Sequence, residues 1–327
     1  MWLILAFLSA AFLGVYDSLK KKSLKGNAVL VVLFLNTLFS SLIFLPFIVL
    51  SHTTGCLDGT IFHVASGTWA EHKYIVLKAL IVLSSWVLGY FGMKHLPLTI
   101  VGPINATRPV MVLVGALLLF GERLNLWQWA GVMLAVTSFL LLSRSGKKEG
   151  IDFKHDHWIY MIVGAALLGA LSGLYDKYLM APVSEGGRGL DRMLVQSWYN
   201  IYQCFMMLLM LVGEWWMVKG EGRSDPTAKL SSARHSPIAA HQNPLTNFHW
   251  DWAILGISLF LSTADFMYFY SLSLPSSMIS IVSMIRRGSV LVSFACGALF
   301  FHEKNLSAKA VDLALVLLGM LCLYIGS

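Results

Sequence analysis

The sequence predicts an all-α polytopic membrane protein of ten transmembrane helices, built as two inverted five-helix repeats. Three observations lead there. The 327 residues are 57% hydrophobic and only 13% charged, more apolar surface than a soluble domain of this size can bury. The apolar residues gather in runs of about 20, the length that crosses a bilayer as a helix. One unusual run also occurs twice, as PLTIVGPINATRPVMVLVGALLLFGER over 97–123 and as PSSMISIVSMIRRGSVLVSFACGALFFHEK over 275–304. Each copy follows an aromatic-rich Leu-Pro step, places an arginine eleven residues after that proline (Arg108, Arg286), and closes on Glu and a basic residue.

Taken in order, the expected spans are 1–19, 28–50, 74–94, 98–120 and 124–143, then 158–180, 193–217, 250–272, 276–301 and 307–326. Charged, glycine-containing joints separate them, among them KKKSLKGN at 20–27 and SRSGKKEGIDFKHDH at 143–157. The second joint divides the chain into a first repeat, 1–146, a linker, 147–157, and a second repeat, 158–327. The repeat extends beyond the opening motif. Val15-Tyr16-Asp17 matches Leu174-Tyr175-Asp176, Asn36 matches Asn200, and Tyr90 matches Tyr268. Internal similarity on this scale marks a repeat-built fold. An odd number of spans per copy makes the two copies insert with opposite orientation, an architecture found in secondary transporters. The first apolar run lacks a basic region before it and has a counterpart in the second half, so it reads as a retained helix rather than a cleaved signal. Two joints exceed what the scaffold needs: 51–73, with an amphipathic patch, and 219–249, whose Ser, Pro, His and Lys content predicts disorder. Both read as tolerated insertions.

The net charge of +7 does not point to nucleic acid, because the basic residues sit in short joints where membrane topology uses them. Joints after odd-numbered spans carry most of the Lys and Arg, which by the positive-inside rule puts the N-terminus outside. The cysteines, Cys56, Cys204, Cys296 and Cys322, have no CxxC spacing and read as small buried hydrophobes. His52, His63 and His72 lack metal-site spacing, so neither a metal nor another cofactor is expected.

Ionisable groups within apolar spans are costly and need a partner or a wet cavity. Here they are Arg108, Asp265, Arg286 and Arg287, with Asp17, Asp176 and Lys177 nearer span ends. Asp265 lies ten residues before Pro275 and Arg286 eleven after it, so in a helical hairpin both are about 15 Å from the turn, near the midplane. Arg108 reaches the same depth in the other copy. The expectation is a central site holding an Asp265–arginine pair. Such a pair can also be purely structural, fixing helix packing by mutual neutralisation. An arginine left over would offer a fork to a carboxylate or phosphate, which favours an anionic or zwitterionic substrate. Pro103 and Pro109 remove backbone donors in mid-span and kink the helix, a break tolerated where backbone lines a cavity. Asn105 and Arg108 lie between them. Tyr90, Tyr268, Trp86, Tyr199 and Asn200 complete the candidate binding set, the aromatics serving equally well as interfacial anchors.

At LPLTIVGPINATRPVMVLVGALLLFGERLNLWQWAGVMLA the chain resembles the drug/metabolite transporter superfamily, in its EamA branch. The Pro-led helix, the second Pro-hydrophobic step and Gly-Glu-Arg-Leu before the next helix carry the resemblance. The second half departs from it, with His302-Glu303-Lys304 for Gly-Glu-Arg and Arg287 where the first copy has Pro109. The resemblance implies a ten-helix carrier, in many members an exporter of amino acids, metabolites or drugs. It further implies a central cavity lined by the first, third, fourth, sixth, eighth and ninth spans, and cytoplasmic termini, opposite to the charge bias.

The expected function is therefore a multi-pass secondary transporter of the cell inner (plasma) membrane. It would export a small polar metabolite, such as an amino acid or organic anion, by alternating access around a central cavity. Its partners would be a small-molecule substrate and the lipid bilayer, as monomer or homodimer. The alternatives are a lipid or polyprenyl-carrier flippase and a membrane-embedded enzyme. The sequence has no GxxxxGK[ST], HExxH or GxSxG motif.

Overall fold

In the computed structural model the described residues are 2–108, 110–111, scattered positions within 125–141, 155–180, 182–221, 248–274, 282, 285–286, 288–300 and 306–326. They are helical with turns and loops between. The helices are α1 (Trp2–Ser23), α2 (Val29–Thr53), α3 (Trp69–His95), α4 (Leu98–Ala106), α5 (His157–Met180), α6 (Arg192–Glu221), α7 (Trp252–Ser273), α8 (Ser289–Phe300) and α9 (Leu306–Gly326). Five of them, α1, α2, α3, α5 and α7, are long and apolar enough to cross a membrane. The second half of the fourth expected span, most of the fifth, the start of the ninth and the bulk of the 219–249 joint lie outside the described residues, as do Pro109 and Arg287.

Local chemistry fixes the helix ends. Thr68 caps α3 with a reciprocal pair: its hydroxyl accepts from the Glu71 N–H, and the Glu71 carboxylate accepts from the Thr68 N–H at 2.6 Å. Asp251 caps α7 by accepting from the Ala253 N–H. At the other end of α3, the Lys21 ammonium donates to the carbonyls of Met93 and Leu96, at 2.6 and 2.5 Å. A cation there satisfies carbonyls that the helix leaves unpaired. Pro97 follows and turns the chain into α4.

The helices pack in reciprocal pairs across the two halves. α1 lies antiparallel along α7: Trp2 O accepts from Ser271 Oγ, Ser9 Oγ donates to Ala264 O at 2.7 Å, and Lys22 reaches Asp251. α3 lies antiparallel along α5, from Tyr74 against Tyr178, through Ser85 bonded to Ala165 O, to His95 stacked on Trp158 at 3.5 Å. α2 packs on α6, where Ser41 Oγ donates to Asn200 O. Each half thus contributes its first long helix to a partner in the other half. Outward faces carry residues such as Ile4, Phe7, Leu80, Phe205 and Leu259, all exposed, the composition suited to lipid.

Two expectations on the joints change. The basic joint after the first span begins later than its charge suggests, because α1 runs through Ser23 and Lys20 is buried. The 51–73 segment, read as a tolerated insertion, is docked against the bundle. Phe62 stacks between Phe47 and Phe266, each at 5.3 Å, and Val64 is buried with Phe44, Ile48 and Met193.

Candidate functional site

A cavity of about 170 Å³ opens where α1, α3, α4, α5, α6, α7 and α8 face one another. It exists because small residues stand at the points of contact. Gly89, Gly102, Gly169 and Gly173 line it together with Ser85, Ser172, Ser289 and Ser293. A Cβ added at Gly102 would sit 3.1 Å from Val290. One added at Gly169 would sit 2.7 Å from the guanidinium carbon of Arg108. The Arg108 fork therefore rests flat against bare backbone of α5. At Gly173, one turn on, nothing lies within 4 Å.

Seven Lys, Arg and Asp side chains line the cavity among the described residues: Lys20, Lys78, Arg108 and Arg286 against Asp17, Asp176 and Asp265. They sort into pairs. Arg286 donates to Asp265, whose other oxygen accepts from Tyr199 OH at 2.8 Å, and the guanidinium lies 4.2 Å from the Tyr268 ring. Lys78 donates to Asp176 and sits over the rings of Tyr199 and Phe269 at 5.0 and 5.3 Å. Lys20 stands 3.5 Å from Asp17 and lies over Tyr16 and Tyr90, two tyrosines bonded through their hydroxyls. Buried charges persist only with such partners. One cation is left over. Arg108 has no ion-pair partner among the described residues, and its Nε is buried without a hydrogen bond. Asp17, whose field reaches it, is engaged by Lys20.

Arg108 follows a local break in α4. The Thr107 N–H donates to the Ile104 carbonyl at 3.2 Å, an i→i+3 bond that tightens the turn. Neither Pro103 nor Pro109 has an N–H to give. Asn105 lies three residues before Arg108, lines the same cavity, and its Oδ1 is also buried without a partner.

Of the residues expected from sequence, Arg108, Asp265, Arg286, Asn105, Tyr268, Trp86 and Tyr199 line the cavity. Tyr90 stands one layer behind it, fully buried against Tyr16 and Lys20. Asn200 lies elsewhere, in the polar seam between α2, α6 and α7 that also holds Asn36 bonded to Ser258. Pro103 lies inside α4. Sequence reasoning missed Lys78, placed Lys20 in the basic joint at 20–27 and put Asp176 near a span end. The signal for Lys78 was present: it is the one charge within the apolar run YIVLKALIVL. Among the described residues no group of three or more His, Cys, Asp or Glu side chains could hold a metal ion.

Residues 1–144 match the model of the EamA-like transporter family. No curated protein matches the chain. Among solved structures, 26 chains match. One of them, described only as the crystal structure of a protein, superposes with a TM-score of 0.60 over 98% of this chain and 96% of its own, at 11% identity. That likeness carries the fold and no activity. The cavity, the apolar helices and the family match converge: this is a multi-pass membrane protein whose residues 1–144 are similar to the EamA-like transporter family of the drug/metabolite transporter superfamily.

Proposed function

We propose that the protein is a secondary transporter that carries a small anionic metabolite by alternating access, in a ten-helix bundle of two inverted five-helix repeats. The observation that carries the substrate sign is Arg108, a guanidinium in the cavity wall that forms no ion pair with any other described residue. A carboxylate or phosphate oxygen is the ligand such a fork pairs with most strongly, and a desolvated cavity strengthens that pairing. Among the described residues the other three cations of the cavity are each held by a carboxylate, which leaves one positive charge over.

The reciprocal packing of α1 on α7 and α3 on α5 supports the two-repeat reading, because an inverted duplication exchanges those pairs. The 1–146 and 158–327 halves are then its two repeats, with 147–157 as linker. Export across the plasma (inner) membrane is the direction we assign. Binding is tested by thermal unfolding of the detergent-purified chain with sodium salts of small carboxylates, phosphate and sulfate. A ligand of the folded state raises the midpoint with its concentration. The wild type should respond to at least one anion and Arg108→Gln to none. An anion response retained in full by Arg108→Gln would remove Arg108 from the site.

A further inference from the structure

We infer that the polar seam between α2, α6 and α7 is the moving contact of the transport cycle, where α6 shifts against its two neighbours and exchanges one set of polar pairs for another. This inference rests on the alternating-access reading above and adds where the bundle moves.

Six side chains of this seam hold seven polar atoms that are buried and unpartnered. They are Asn36 Nδ2 and Ser40 Oγ on α2, Gln196 Oε1, Ser197 Oγ and both amide atoms of Gln203 on α6, and Ser262 Oγ on α7. Solvent reaches none of them. α1, α3 and α5 carry no such atom among the described residues; the Ser9 hydroxyl of α1, for one, donates to Ala264 O. Buried polar groups are nearly all paired in folded proteins, and within a membrane no water replaces a missing partner. Seven such atoms in one contact mark a contact whose pairing is completed in a second arrangement. The chemistry of the set allows it. Asn36 Nδ2 and Gln203 Nε2 only donate, Gln196 Oε1 and Gln203 Oε1 only accept, and the three hydroxyls do both, so these atoms can satisfy one another without a ligand.

The spacing allows it too. α6 carries amides at Gln196, Asn200 and Gln203, one on each successive turn of the same face. In this arrangement Gln196 Nε2 donates to Ser262 O at 3.4 Å, and Asn200 O accepts from Ser41 Oγ at 2.8 Å. A shift of α6 by one turn, about 5.4 Å, sets Asn200 in the place of Gln196 against α7 and Gln203 in the place of Asn200 against α2. The polar face stays against a polar face, and Gln203, unpaired at both amide atoms here, gains the Ser41 side of the seam. The same helix carries Tyr199, whose hydroxyl donates to Asp265 in the cavity wall. A shift of α6 is therefore transmitted to the cavity.

The test uses the full-length protein in detergent, without added ligand. Gln203→Leu and Ser262→Ala each delete atoms that this arrangement leaves unpaired and the second arrangement uses. Both should raise the thermal-unfolding midpoint and populate the second arrangement about tenfold less, the effect of one buried unpaired polar group. Cys204 reports the motion, because its thiol faces Thr37 and Ser41 across the seam. Its alkylation by N-ethylmaleimide, followed by peptide mass spectrometry, should slow about tenfold in both variants, while the exposed Cys56 reacts at the wild-type rate. Ser9→Ala removes a hydrogen bond that is made outside the seam; it should lower the midpoint and leave the Cys204 rate unchanged. A midpoint that does not rise in the seam variants, or a Cys204 rate that does not fall, overturns the inference. If Gln203→Leu does not fold, Ser262→Ala decides alone. Either result leaves the Arg108 site standing, since the anion titration tests that separately.

Discussion

Replacing Lys78 by methionine tests the charge accounting of the cavity at its most buried pair. The Lys78 and Asp176 side chains are 3% and 11% exposed, so neither end of the pair is relieved by bulk water. Methionine keeps the volume of the lysine stem and removes only the charge. Asp176 then remains in a poorly solvated wall with Asp265 as a like-charged neighbour. Breaking a buried pair from one side costs about 3–5 kcal/mol. Replacing both partners by apolar groups of similar volume is often neutral. Lys78→Met should therefore destabilise the folded chain by roughly 3 kcal/mol or more, and Lys78→Met with Asp176→Leu should recover most of that loss. The assay is an equilibrium unfolding titration in mixed micelles with the full double-mutant cycle. Because the pair is neutral as a unit, the double variant should also keep the anion response that depends on Arg108. A single-variant loss below about 1 kcal/mol, the range of an exposed pair, would refute the reasoning. So would a double variant as unstable as the sum of its parts.

Two further outcomes follow from the geometry. Gly169→Ala places a Cβ 2.7 Å from the Arg108 guanidinium carbon. The fork is the end of a flexible side chain and can move, so the variant should fold normally yet lose about tenfold or more in anion affinity, one displaced charge-assisted hydrogen bond. Gly213→Ala, which also faces open space but lies outside the cavity lining, is the control and should bind as wild type in the same thermal-shift titration. Thr68→Ala removes half of the reciprocal cap of α3 and should cost about 1 kcal/mol in the unfolding titration with no change in anion affinity.

Much of this architecture is legible in the sequence, for physical reasons that can be named. Apolar runs set helix lengths because a bilayer permits little else, and the runs that begin at Trp2, Val29 and Trp252 appear as helices of span length. The Asp265–Arg286 pair follows from depth alone: ten and eleven residues from one proline bring both to the same level, and the structure joins them. Lys78 was missed because its partner, Asp176, lies 98 residues away; the register of α3 against α5, which no local pattern encodes, brings them together. Lys20 was read as part of a basic joint because three lysines in a row look solvated. Here the first of the three turns inward over Tyr16 and Tyr90 while Lys22 stays outside. Asn200 was matched to Asn36 as a repeat position and drawn into the candidate site, but both face the seam between helices rather than the cavity. Equivalence within a repeat says that two residues occupy like places, not which side of the helix the substrate visits.

The central claim is that the charge on Arg108 makes the cavity a transport site, and counterflow in proteoliposomes measures it most directly. Vesicles loaded with a small carboxylate, phosphate or sulfate are diluted into labelled compound of the same kind, and exchange is followed for the wild type and for Arg108→Gln reconstituted at equal density. The account predicts trans-stimulated exchange of at least one anion by the wild type, and none above empty vesicles for a folded Arg108→Gln. Equal exchange by both proteins would contradict it.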